Sequence, residues 1–196
     1  METGLQLVSE AHGHLQGIMQ AVRRLYMRAV NAMLNARGLG SEAAGYQAVT
    51  LELRRFSKHI DGSSDELRGR IRELVYYGAA RQRQARRLVR LEKGLDEAVA
   101  TVASAAEHRL EDLRASLGRQ DREIARLAKE IKRISVRVLR LVESGRNLGL
   151  MLRTEAAASS ALTDGIGDEI NTLMDCVAEE LDSIERRMDQ LNETRE

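Results

Sequence analysis

The sequence predicts an all-α fold: an elongated antiparallel coiled coil or four-helix bundle built from long helical hairpins. Three observations carry that expectation. The 196 residues include no proline and no tryptophan, with only one Phe and four Tyr. A globular core of this size ordinarily draws on many aromatics, so the 43% apolar content has to pack mainly as Leu, Ala, Val and Ile. Those residues recur at steps of three and four, which keeps them on one face of a helix.

The first helix carries Leu15, Ile18, Val22, Leu25, Ala29 and Met33 on such a face and ends near Arg37. Gly38 and Gly40 follow, and glycine readily takes the left-handed backbone that closes a helix. Ser41 then offers a hydroxyl to cap the next helix. The second helix is read through Tyr46, Val49, Leu53, Phe56 and Ile60, then Leu67, Ile71 and Leu74. From Gly78 to Arg87 only alanines continue the seam, which predicts a thin spot or a kink before Leu88, Leu91 and Leu95.

The third seam is the most regular. It runs Leu110, Leu113, Leu117, Ile124, Leu127, Ile131 and Ile134, then Val138, Leu141, Leu148 and Leu152. Its start is ambiguous between Gly118 with Asp121 and Gly94 with Leu95 and Asp96. The phase passes straight through Gly118, which favours a turn at 94–96. The fourth helix begins in TDGIGDEI, where Gly165 and Gly167 break the preceding helix and Asp168 and Glu169 suit a helix N-terminus. It continues through Ile166, Ile170, Leu173, Val177, Leu181, Ile184, Met188 and Leu191. Residues 1–196 read as one helical domain.

Thirty-one Lys and Arg nearly cancel thirty Asp and Glu, so bulk charge calls for no polyanionic partner. Cys176 is the only cysteine, which excludes an internal disulfide framework and fits a reducing compartment. It lies on an apolar-periodic helix and reads as a packed, inert thiol. The N-terminal METGLQLVSEAHGH has no basic stretch followed by an apolar one, and no apolar run is long enough to span a bilayer. The expectation is a soluble, cytoplasmic protein with no membrane span.

Residues 31–60 carry a more specific pattern. Asn31, Ala32, Leu34 and Ala36 are followed by Gly40, Gly45, Tyr46, Val49, Glu52, Leu53, Arg54 and Phe56. Without a gap, this run resembles the hairpin tip of the signalling domain of methyl-accepting chemotaxis receptors, and Ile18, Ala29 and Val30 extend the likeness upstream. The resemblance implies a hairpin tip at about 38–45 that acts by protein–protein contact through Asn31, Asn35, Gly38, Gly40, Gly45, Tyr46, Glu52 and Arg54. It also implies a chemotaxis histidine kinase and its coupling protein as partners. Three charged positions of the family's tip fall here on Asn35, Gly38 and Ser41, and its last Gly-Arg pair falls on Ala43-Ala44.

A fainter echo at residues 146–175 suggests a second tip at 155–167. The family builds its four-helix bundle from two chains. This chain could build one alone, or its first hairpin could form a homodimer. Receptor methylation sites pair Glu or Gln on a helix face; Glu179 and Glu180 are the mild match, although a plain charged surface is the commoner meaning.

His12 and His14 lie two apart, so they do not share a helix face as metal ligands would, and they read as solvated residues of a frayed terminus. Tyr76 and Tyr77 beside Gly78 read as filling for the thin seam. Arg81, Arg83, Arg86, Arg87, Arg90 and Lys93 could meet nucleic acid or anionic lipid, but such runs are more often solvated faces. Residues 155–196 hold twelve Asp and Glu against three Arg, so the acidic helix and the basic segment could steer pairing within one chain or between chains. No phosphate-binding glycine loop, metal quartet or nucleophile with a base stands out, so the chain reads as non-enzymatic, with no cofactor, metal or small-molecule substrate. A signalling module working through its tip leads, a structural coiled-coil oligomeriser comes second, and nucleic-acid binding third.

Overall fold

The computed structural model describes residues 4–37, 43–95, 100–158 and 165–193. They form four α-helices: α1 (Gly4–Arg37), α2 (Ala44–Leu95), α3 (Ala100–Ala158) and α4 (Ile166–Glu193), with no strand among the described residues. Each helix packs on its two sequence neighbours, and α4 packs back on α1, which closes a bundle from one chain. The cross-helix pairs run in opposite directions along the chain. Glu10 meets Arg187 and Arg28 meets Glu169 between α1 and α4, while Arg146 meets Asp175 and Lys132 meets Asp189 between α3 and α4.

Helix length decides where four helices become two. At about 1.5 Å per residue, the 34 residues of α1 cover only the hairpin-end part of the 52-residue α2, and the 28 residues of α4 only part of the 59-residue α3. Burial follows that geometry. On α2 every seam position from Tyr46 to Leu74 is buried, whereas described residues 75–94 are all at least partly exposed. On α3 the continuous core begins at Ile124. Beyond these points α2 and α3 continue as a two-helix arm joined by Arg81–Asp121 (2.5 Å) and Arg114–Glu92 (2.9 Å).

α2 runs unbroken through Gly78–Arg87, and Tyr76 is exposed rather than filling the seam there, while Tyr77 packs against the core. α2 ends at Leu95 and α3 begins at Ala100, and Gly118 is an exposed residue inside α3. Polar interruptions of the α2 seam are satisfied locally. Thr50, Ser57 and Ser64 are buried and donate to the carbonyls of Gln47, Arg54 and Ile60 at 2.8–2.9 Å.

Four expectations need correction. The N-terminal segment is not frayed: helix begins at Gly4, and Leu7, Val8 and Ala11 are core residues. His14 is half-buried, its Nδ1 2.7 Å from Glu180 Oε2, because α4 packs alongside. In α1 the seam closes on Ala32 and Ala36, leaving Met33 half-buried. In α3 Val142, Gly145 and Gly149 take the innermost positions, and Leu141 and Leu148 flank the core.

The fourth concerns charge. Within one chain, the described acids of α4 do not meet the basic 81–93 segment. Arg28, Arg146, Lys132 and Arg153, on α1 and α3, take Glu169, Asp175, Asp189 and Asp168 instead. The short α4 lies against the bundle, away from the arm.

Candidate functional site

α1 and α3 end, and α2 and α4 begin, at the same end of the bundle. Glu155 near the end of α3 lies directly over Gly45 at the start of α2: a Cβ on Gly45 would collide with its carboxylate. The first turn of α4 is held from two sides. Asp168 is 3.1 Å from Arg153 of α3, and Glu169 accepts from Arg28 of α1 at 2.7 Å. On the other hairpin, Gln47 Nε2 donates to the Ala36 carbonyl at 2.9 Å. That bond satisfies one of the carbonyls left open in the last turn of α1. The ends of the four helices are therefore braced against one another.

The residues singled out from sequence divide between surface and core. Asn31 and Asn35 are exposed on α1, and Asn31 lines a groove of about 570 Å3 with Arg24, Arg28 and Glu169. Glu52 is exposed and bonds Arg55 one turn away. Gly45 is exposed beneath Glu155. Tyr46 is a core residue at 1% exposure, so it supports the end rather than presenting itself to a partner. Arg54 is half-buried, and its Nε has no hydrogen-bond partner among the described residues. Gly38 and Gly40 lie outside the described residues, as does part of the 155–167 segment.

Of the candidate methylation pair, Glu179 is exposed, whereas Glu180 is held by His14 and packs where Gly17 lacks a side chain. Among the described residues no three His, Cys, Asp or Glu side chains gather as a metal-holding group. Cys176 is half-buried; burial first, then the Glu180 and Glu179 carboxylates, raise its thiol pKa, with Arg24 acting in the opposite sense. Its thiolate is therefore scarce at neutral pH.

What the sequence reading missed is apolar surface. Leu34, Leu51, Leu150 and Met151 are exposed, all within about eight residues of the helix ends that meet here. Met151 also lines an open groove of about 540 Å3 between α2 and α3, with Phe56, Leu141 and Leu148 and with Glu52 and His59. The signal was present, since these leucines stand out of phase with their own seams. An out-of-phase leucine on a bundle helix points outward. No helix among the described residues is long and apolar enough to cross a membrane. No family model matches the chain, and no curated protein matches it.

Proposed function

We propose that this chain is a non-enzymatic protein-contact module of the cytoplasm that works through its double-hairpin end. The observation that carries the reading is that four large apolar residues, Leu34, Leu51, Leu150 and Met151, are exposed within about eight residues of the helix ends at this end of the bundle, as are Asn31, Asn35 and Glu52. Apolar centres edged by polar groups are what protein interfaces use. The resemblance of residues 31–60 to the chemoreceptor signalling tip supplies the partner class: a chemotaxis histidine kinase with its coupling protein. In this reading one chain provides the four helices that the receptor family assembles from two. Self-association would then join bundles side by side at this end, since no helix is needed to complete the core.

The test is binding of the purified chain to a kinase–coupling protein complex by biolayer interferometry. Leu150→Glu with Met151→Glu places two charges on exposed positions and should weaken binding at least about tenfold, equivalent to roughly 1.4 kcal/mol, while melting is preserved. Asn35→Glu with Gly38→Arg restores two charges of the family's tip and should strengthen it. Absence of binding by the wild type and the restored variant, both folded, would remove the chemotaxis partner from the proposal.

A further inference from the structure

The outer face of α2 carries a second surface that the hairpin end does not use. At about 100° per residue, Arg72, Arg83, Arg86, Arg87, Arg90 and Lys93 fall in one sector, opposite the side on which Arg81 reaches Asp121 of α3. All six are exposed, and none has an ion pair among the described residues. The two acids of the same stretch are committed elsewhere: Glu73 to Arg70 and Glu92 to Arg114. The acidic α4, which could have neutralised this stripe, pairs with α1 and α3 instead. What remains is a cationic strip about 31 Å long at 1.5 Å per residue, with no acid in its sector of α2 among the described residues, on a chain whose charges otherwise balance.

Two further observations narrow the partner. Tyr76 lies in the same sector and at 65% exposure is the most exposed large apolar side chain among the described residues. A groove of about 550 Å3 beside the strip brings Arg109 of α3 next to Arg87 and Arg90, over Leu91 and Leu113, with Asp112 also on its wall. Five of the six cations on the strip are guanidinium forks, which fit phosphate oxygens in pairs. An exposed aromatic in line with them offers a stacking face for a base. The main apolar side of this helix is turned to α3, so it has no broad apolar face to sink into a bilayer.

We infer that the α2 face of the arm binds a nucleic-acid backbone, with Tyr76 stacking on a base where the strand is single. The strip would span roughly nine base pairs of duplex at 3.4 Å per pair. If about five cations displace counterions, the logarithm of affinity should fall with the logarithm of salt at a slope of about −4 to −5.

Fluorescence anisotropy of the whole chain with a labelled duplex and a labelled single strand tests this. The stripe variant is Arg83→Glu, Arg86→Glu and Arg90→Glu. Its control, Lys58→Glu, Arg133→Glu and Arg140→Glu, reverses the same number of exposed charges on the bundle. The stripe variant should lose at least about thirtyfold in affinity and the control less than about threefold, with both melting like wild type. Tyr76→Ala should weaken single-strand binding at least about fivefold, the lower range of base stacking, and leave the duplex unchanged. The inference is overturned if neither nucleic acid binds at about 50 mM salt, if both triple variants lose affinity equally, or if phosphatidylserine vesicles bind more tightly than either strand form.

Discussion

Ile131→Ala should destabilise the chain by about 2–5 kcal/mol, the range for truncating a large buried aliphatic. Ile131 is fully buried in α3. Its neighbours show why: Glu130 pairs with Arg70 of α2, and Lys132 donates to Asp189 of α4 at 2.7 Å. The isoleucine side chain is thus enclosed where three helices converge, and the removed methyl and methylene groups leave a cavity that rigid helices fill poorly. For a chain of this size each kcal/mol is worth roughly 2–4 °C in Tm. Val136→Ala, one and a half turns along and 42% exposed, should stay within about 0.5 kcal/mol. Thermal denaturation followed by circular dichroism measures both. Equal melting of Ile131→Ala and wild type would show that α3 does not turn this face inward.

Two glycine-to-alanine changes should move stability in opposite directions. Gly167 and Gly149 roof each other where α4 crosses α3: a Cβ on Gly167 would stand 2.5 Å from the Gly149 carbonyl oxygen, and one on Gly149 2.9 Å from the Gly167 oxygen. These are backbone atoms, so the helices themselves have to separate. Gly167→Ala should therefore cost about 1–3 kcal/mol, as overpacking does, and should loosen the Arg153–Asp168 contact beside it. Gly62 is exposed within α2 with nothing within 4 Å of its missing Cβ. Gly62→Ala should add about 0.5–1 kcal/mol by restricting the unfolded chain and favouring helix. Urea unfolding of the two variants reads the signs directly.

The same glycines show why part of the fold was legible in the sequence and part was not. Period alone places Tyr46 through Leu74 and Ile170 through Leu191, because there the inward positions are also the apolar ones. Where two helices approach closely, the inward position goes to the smallest side chain. Gly145, Gly149, Ala32 and Ala36 are buried on that account, and a reading that follows hydrophobic bulk chooses Leu141, Leu148 and Met33 instead. Charge misled for another reason. Opposite signs on α4 and residues 81–93 say that the two could attract, but only helix length determines whether they meet. The candidate site was half visible. Asn31, Asn35 and Glu52 are on the surface as the receptor-like pattern implies, whereas Tyr46 is interior because its ring continues the α2 seam.

The functional reading rests on one architectural claim, that a single chain brings its two hairpin ends together. Spin labels at Asn35→Cys and Arg153→Cys, in a Cys176→Ser background, report it through double electron–electron resonance. Both positions are exposed, on α1 and α3 respectively. Helix axes in a packed bundle lie about 8–10 Å apart, so even across the bundle the labels should be separated by less than roughly 30 Å. That distance should persist when labelled chains are refolded in excess unlabelled chain. A distance beyond roughly 40 Å, or a short distance that disappears on such dilution, would mean that the hairpins meet only between chains and would contradict the account.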